Sequence, residues 1–121
     1  MKLLNLNMKY DEIIEKAYVG FNARKIDDVF LVMDPDVKWP KAFEGGYAIG
    51  HDAVRKYWTK QWSEINPIVE PRSITIREDG KVKVEAEQIV KDLENNVLFN
   101  GTVKHIYQIE NNLITCMDVE A

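Results

Sequence analysis

The hydrophobic period of this chain changes once, near its middle, and that change constrains the fold more than any other feature. Before Pro67 the apolar residues recur mostly at helical spacing, and after Pro71 they alternate. Ile13, Ile14, Ala17, Tyr18 and Phe21 keep one helix face, which ends near Asn22. A second short helix draws its apolar side from Val29, Phe30, Val32 and Met33; Asp27 is placed to accept from a backbone N–H at its start and Asp34-Pro35 to stop it. Val37-Lys38-Trp39 reads as a short strand closed by Pro40, and Phe43 to Gly50 as a loop carrying Gly45, Gly46 and Gly50. From His51, the residues Val54, Tyr57, Trp58, Gln61, Trp62 and Ile65 form a single helical stripe, halted by Asn66-Pro67.

Beyond Pro71, Val82, Val84, Ala86, Gln88 and Val90 alternate with Lys81, Lys83, Glu85, Glu87, Ile89 and Lys91, the pattern of a strand with one wet face. Asp79-Gly80, Asn95-Asn96 and Asn111-Asn112 can each adopt positive φ and reverse the chain, which gives a four-strand meander. The expected class is therefore α+β: a cone made of a curved, mostly antiparallel sheet with three helices from the N-terminal half packed on its concave face. With 121 residues the chain forms one domain, 10–121, long enough to bury a core without disulfides or a structural metal. Residues 1–9, an apolar run broken by Asn with no small-residue cleavage site, read as a flexible leader and not as a signal peptide.

Charge and cysteine usage narrow the partners. Sixteen Lys+Arg against 20 Asp+Glu, net charge -4, leave no basic footprint for nucleic acid. Cys116 is the single cysteine, so no internal disulfide can form, and no run reaches the roughly 20 apolar residues of a membrane span. A cytoplasmic protein is expected. Six of the 12 aromatic residues, including all three tryptophans, fall between Trp39 and Trp62, which reads as one large apolar surface being assembled. Trp39, Tyr57, Trp58 and Trp62 are the candidate lining of a site for a flat apolar ligand, although helix-spaced aromatics also fill cores.

Several segments together resemble a known family. Phe21-Asn22-Ala23-Arg24, Asp34-Pro35-Asp36-Val37, Trp39-Pro40, Glu44-Gly45-Gly46 and Gly50-His51-Asp52-Ala53-Val54, followed by the turn-punctuated strands, are similar to the SnoaL-like branch of the nuclear transport factor 2-like superfamily. The resemblance implies a cone with a deep pocket between sheet and helices, often dimeric through the outer sheet. It does not fix an activity, because the superfamily spans ketosteroid isomerases, polyketide cyclases, dehydratases, epoxide hydrolases and non-catalytic binding modules.

Carried over residue by residue, the resemblance is informative where it breaks. The isomerases' general-base aspartate before a strand proline corresponds to Trp39, and their oxyanion-hole tyrosine to Ala17, with Tyr18 rotated about 100° around the helix. The cyclases' histidine, six residues before the final turn, corresponds to His105; their partner aspartate corresponds to Val119, with Asp118 one place short. Trp58 corresponds to a cavity-facing position of related isomerases.

Strand parity tests whether Asp118 can still serve His105. A three-residue turn over Glu110-Asn111-Asn112 sets His105 against Met117 and Lys104 against Asp118, matching polarity across the pair. A two-residue turn sets His105 against Asp118 but Lys104 against Val119. The first register is favoured, so His105 is expected to lack a carboxylate.

The catalytic candidates are His105, which can exchange a proton near neutral pH, and Tyr18 and Tyr107, whose hydroxyls can donate to a carbonyl or enolate. His105 can equally be a buried histidine satisfied by Gln88 or Tyr107. Gln88, the lone polar member of an apolar strand face, is a further ligand-binding candidate. No metal or organic cofactor is expected: His51, His105 and Cys116 lack ligand spacing, and Gly45-x-x-x-x-Gly50 lacks the lysine and hydroxyl of a phosphate loop. Ile106, Ile114 and Cys116 are expected to form an apolar outer strip that pairs two copies into a homodimer. The functional expectation is a deep pocket for a small hydrophobic molecule, with proton-transfer chemistry of the isomerase, cyclase or dehydratase type on His105, or else a non-catalytic ligand-binding or dimeric scaffold module.

Overall fold

The computed structural model of the chain describes residues 2–42 and 44–120, with side chains from Tyr10 onward. Three helices, α1 (Lys2–Asn22), α2 (Ile26–Phe30) and α3 (His51–Glu64), pack against a six-stranded mixed sheet of β1 (Met33–Pro40), β2 (Tyr47–Ile49), β3 (Ile65–Ile76), β4 (Val82–Asp92), β5 (Val97–Glu110) and β6 (Leu113–Glu120). The strand order is β2-β1-β6-β5-β4-β3. The last four strands are the expected meander, and β1 joins it through a parallel pairing to β6. This is the α+β cone read from the sequence. Segment 1–9, set apart there as a leader, enters α1 from Lys2; its side chains and Met1 lie outside the described residues.

Helix α1 buries Ile13, Ile14, Ala17 and Tyr18, and α3 buries Val54 and Trp58. They meet Val82, Val84 and Ala86 of β4, Tyr107 of β5 and Met117 of β6, so one core lies between the helices and the inner sheet face.

Four local expectations are corrected. Helix α2 stops at Phe30; Asp27 makes no cap bond and instead pairs with Arg55. Met33 and Asp34-Pro35 belong to β1, where the Asp34 carboxylate accepts from the Asp36 N–H at 2.8 Å, within the stretch where the β1–β6 register shifts. Within the stretch read as a loop, Tyr47–Ile49 is a short strand on β1; Phe43 lies outside the described residues. The reversal before it depends on Gly45 and Gly46, both at positive φ, with Lys41 N–H donating to the Gly46 carbonyl. Strand β3 starts at Ile65 rather than after Pro71. It is one of the two edge strands, where prolines such as Pro67 and Pro71 are tolerated.

The last hairpin settles differently from both expected registers. Asn111 and Asn112 both take positive φ and form a two-residue turn, pairing Glu110 with Leu113 and Ile109 with Ile114. A register shift between Gln108 and Ile109 then adds one residue on β6, so that His105 pairs with Val119, not with Met117 or Asp118. The shift restores the face assignment of the favoured register: Met117 and Val119 line the cavity with His105, and Asp118 pairs with Ile106. It also turns Ile114 into a fully buried core residue, leaving Ile106 and Cys116 of the expected outer strip. Ile106 is itself 7% exposed, so this face presents little free apolar surface there.

Candidate functional site

Between α3, β1 and the inner sheet face lies a cavity of about 610 Å³. Its helical wall carries Phe21, Tyr57, Trp58 and Gln61, and Trp39 adds an indole from β1. The sheet wall is Val69, Gln88, Val90, Val103, Met117 and Val119. Leu98 and Phe99 of β5 line it at the β4–β5 hairpin, and Glu44, Lys60 and Glu64 bring charge, with Lys60 Nζ 3.3 Å from the Glu44 carboxylate. The Trp39 and Trp58 rings meet edge to face at 5.3 Å, which fixes both indoles by packing.

His105 also lines this cavity. At 8% exposure it is the one buried polar residue among those described. Its Nδ1 lies 2.7 Å from the Tyr18 hydroxyl, and the Tyr107 hydroxyl donates to that same Tyr18 oxygen at 2.9 Å. Counting protons orders the chain: Tyr107 donates to Tyr18, so the Tyr18 proton needs an acceptor, and Nδ1 supplies it. The ring proton then sits on Nε2, which has no protein partner among the described residues. Burial lowers the His105 pKa from 6.5 to about 4, and no carboxylate opposes that shift. At neutral pH the ring is therefore an uncharged N–H donor. Burial likewise raises both tyrosines above the usual phenol range, so the chain stays protonated.

The candidates separate into three groups. His105, Trp39, Tyr57, Trp58 and Gln88 line the cavity. Tyr18 and Tyr107 lie behind His105, lining a small apolar void of about 40 Å³; their hydroxyls are committed to each other and to His105, not presented to the main cavity. Trp62 is outside the lining. It packs on Phe21 and Trp58 with the Arg24 guanidinium 4.9 Å from its ring, and its Nε1 is buried without a partner. It shares the Trp58 side of α3, but its ring contacts are with Phe21, Trp58 and Arg24.

Sequence reasoning missed Leu98 and Phe99, because Val97-Leu98-Phe99 is a continuous apolar run with no period to mark which of its residues face the cavity. It also assigned the wrong partner to His105. The resemblance favoured Ala17 over Tyr18, yet the structure buries both and puts the Tyr18 hydroxyl on the imidazole. Asp118 faces away and accepts from the Tyr47 hydroxyl on the other side of the sheet. Among the described residues no group of three or more His, Cys, Asp or Glu is placed to hold a metal, and no helix is long and apolar enough to cross a membrane.

Solved structures share this architecture. The crystal structure of TerC co-crystallised with polyporic acid matches with a TM-score of 0.81 and 23% identity over 93% of this chain and 90% of that one. A nuclear transport factor 2-like protein of unknown function from Burkholderia pseudomallei matches with a TM-score of 0.80 and 18% identity over 93% and 89%. The chain has the nuclear transport factor 2-like fold. A putative polyketide cyclase from Sinorhizobium meliloti shares that fold with a TM-score of 0.74 and 19% identity over 93% of this chain and 98% of its own, in line with the resemblance carried by the residues. Neither a protein-family model nor a curated protein matches the sequence. On a nuclear transport factor 2-like cone, function is therefore argued from the cavity itself.

Proposed function

We propose that this protein binds a small hydrophobic molecule in the cavity, with His105 Nε2–H holding an oxygen of that molecule. The carrying observation is an aromatic and aliphatic cavity with one buried polar side chain, whose tautomer is set by Tyr18 and Tyr107. Apolar walls supply affinity and a single oriented donor supplies direction, which is the usual division of labour in small-molecule sites. The co-crystallisation of TerC, a structure of this fold, with polyporic acid supports small-molecule binding.

Proton-transfer chemistry of the isomerase, cyclase or dehydratase type would use the same donor. A ring whose pKa is about 4 is a weak base but a competent neutral electrophile, so its part would be to polarise a carbonyl or hold an enolate oxygen. A second reading, a non-catalytic ligand-binding module, is favoured by two particular positions: Trp39 stands where the resemblance puts a base, and Val119 where it puts the histidine's aspartate. A homodimer through the outer sheet remains part of the proposal; its contact would include Ile106 and Cys116 but not Ile114, and sedimentation at micromolar concentration reads it directly.

Tryptophan fluorescence during titration with flat ketones, lactones and phenols tests the binding reading, because Trp39 and Trp58 border the cavity. Saturable quenching, weakened in His105→Gln, is expected. An absence of response across the panel from a folded protein overturns it.

A further inference from the structure

Besides His105, the cavity wall carries two side-chain amides without a hydrogen bond among the described residues, Gln61 on α3 and Gln88 on β4, and only Gln88 shares the sheet face of His105. The β4–β5 register fixes its position relative to His105. Gln88 pairs with Gly101 and Val84 with His105, so the two anchors are four residues apart on the same sheet face. Along a strand that is about 13 Å between Cα positions. Midway between them Ala86 pairs with Val103, and Val103 lines the cavity there, while Trp39, Tyr57 and Trp58 stand among the lining on the other walls.

Gly101 contributes to the shape of the outer end. A Cβ added there would sit 3.1 Å from the Phe99 ring, so the absence of a side chain lets that ring lie over the strand beside Gln88. The result is a slot with an obligate donor at one end and an amide, both donor and acceptor, at the other.

Resting on the binding reading above, we infer that the ligand is an elongated, flat, uncharged molecule with an acceptor oxygen at its inner end and a hydroxyl at its outer end. The inner oxygen accepts from His105 Nε2–H. The hydroxyl pairs with the Gln88 amide roughly 10 Å away, after allowing for side-chain reach and hydrogen-bond length. A charged inner end is excluded because nothing at His105 neutralises it, and burying an unpaired charge is costly. Gln88 is then a specificity-determining residue: it distinguishes hydroxylated from unhydroxylated forms of one skeleton.

A set of biphenyls spans the required length and separates the two claims. One carries an acetyl group on one para position and a hydroxyl on the other, the second carries the acetyl alone, and the third carries neither. Affinities are measured by calorimetry on the full chain, in wild type, Gln88→Leu and the near-isosteric Gln88→Met. In wild type the acetyl group should improve binding over plain biphenyl, and the added hydroxyl should improve it again by about fivefold, the value of one neutral hydrogen bond. In both variants the hydroxyl's gain should vanish while acetylbiphenyl binds as in wild type. If acetylbiphenyl binds but the hydroxyl adds nothing, or its gain survives loss of the amide, the second anchor is overturned and the binding reading stands. If none of the three binds wild type, the binding reading fails for this class and the inference falls with it.

Discussion

The two faces of the β5–β6 hairpin each hold a tyrosine hydroxyl against a titratable partner, and they do opposite things with it. On the inner face, Tyr18 donates to His105 inside a buried chain free of charge, and burial holds the imidazole neutral. On the outer face, Tyr47 donates to Asp118, beside Cys116 and with Lys38 Nζ 4.2 Å from the tyrosine ring, at a surface open to water. The hairpin could have carried Asp118 on either side. A one-residue register shift put it outside, and that placement makes His105 a hydrogen-bond donor instead of half of an acid–base pair.

Tyr18→Phe should have the largest effect on this contrast. It strips the shared hydroxyl from a buried chain, leaving both the Tyr107 O–H and His105 Nδ1 without partners. The expected loss is about 3 kcal/mol, read as a shift in the denaturant midpoint at unchanged slope. Nitrogen NMR of the imidazole supplies an independent readout. Wild type should show a single neutral tautomer protonated at Nε2, and the variant a mixture.

Acid should come next. Because the folded pKa of His105, about 4, lies below its unfolded value near 6.5, the unfolded chain takes up a proton first as pH falls. The stability this group contributes is whole above pH 6.5 and declines as pH falls from 6.5 through 4, by an amount on the order of 3 kcal/mol. Thermal melts of wild type and His105→Gln across that window should converge as pH drops. Parallel curves would show that His105 is charged or solvated in the folded state.

How much of this was legible depended on whether a feature was local or long-range. Helices α1 and α3, the three turns and the alternating faces of β4 follow from spacing alone, because one-sided burial writes itself into the period, whereas α2 stops short of its apolar pattern where Met33 joins β1. Neither the register shift near Gln108 nor the Tyr18–His105 contact, 87 residues apart in sequence, leaves such a trace. The turn at Asn111-Asn112 allowed two parities. Matching polarity selected the right face but the wrong partner, since an added residue on β6 can follow a two-residue turn and mimic the longer one. Trp62 misled for a different reason: a helical stripe wider than its cavity also supplies residues that pack behind the wall.

Val119→Asp tests the missing carboxylate directly. Position 119 pairs with His105 and lines the cavity, and at 48% exposure it can accept a charge without full burial. A carboxylate there should raise the His105 pKa by about 1–3 units, read by NMR titration. It should also flatten the acid dependence described above, because the folded and unfolded pKa values draw together. An unmoved pKa would mean that the β6 end does not bring residue 119 to the imidazole.

The smallest effect belongs to Tyr47→Phe, and its smallness is informative. The deletion is chemically the same as Tyr18→Phe, one phenol hydroxyl lost from a hydrogen bond, but both partners face water. Asp118 exchanges the tyrosine for solvent, the ring stays over Lys38, and little stability is lost. The phenol of Tyr47 is held above its usual range first by its hydrogen bond to Asp118, so the readout of that contact is spectroscopic. In wild type the ultraviolet titration of Tyr47 should lie above that of an ordinary exposed tyrosine, and Asp118→Asn should bring it down while leaving the acid melt of His105 unchanged. A change in the His105 window on removing Asp118 would mean that the two faces communicate through the sheet, and the separation drawn between them would fail.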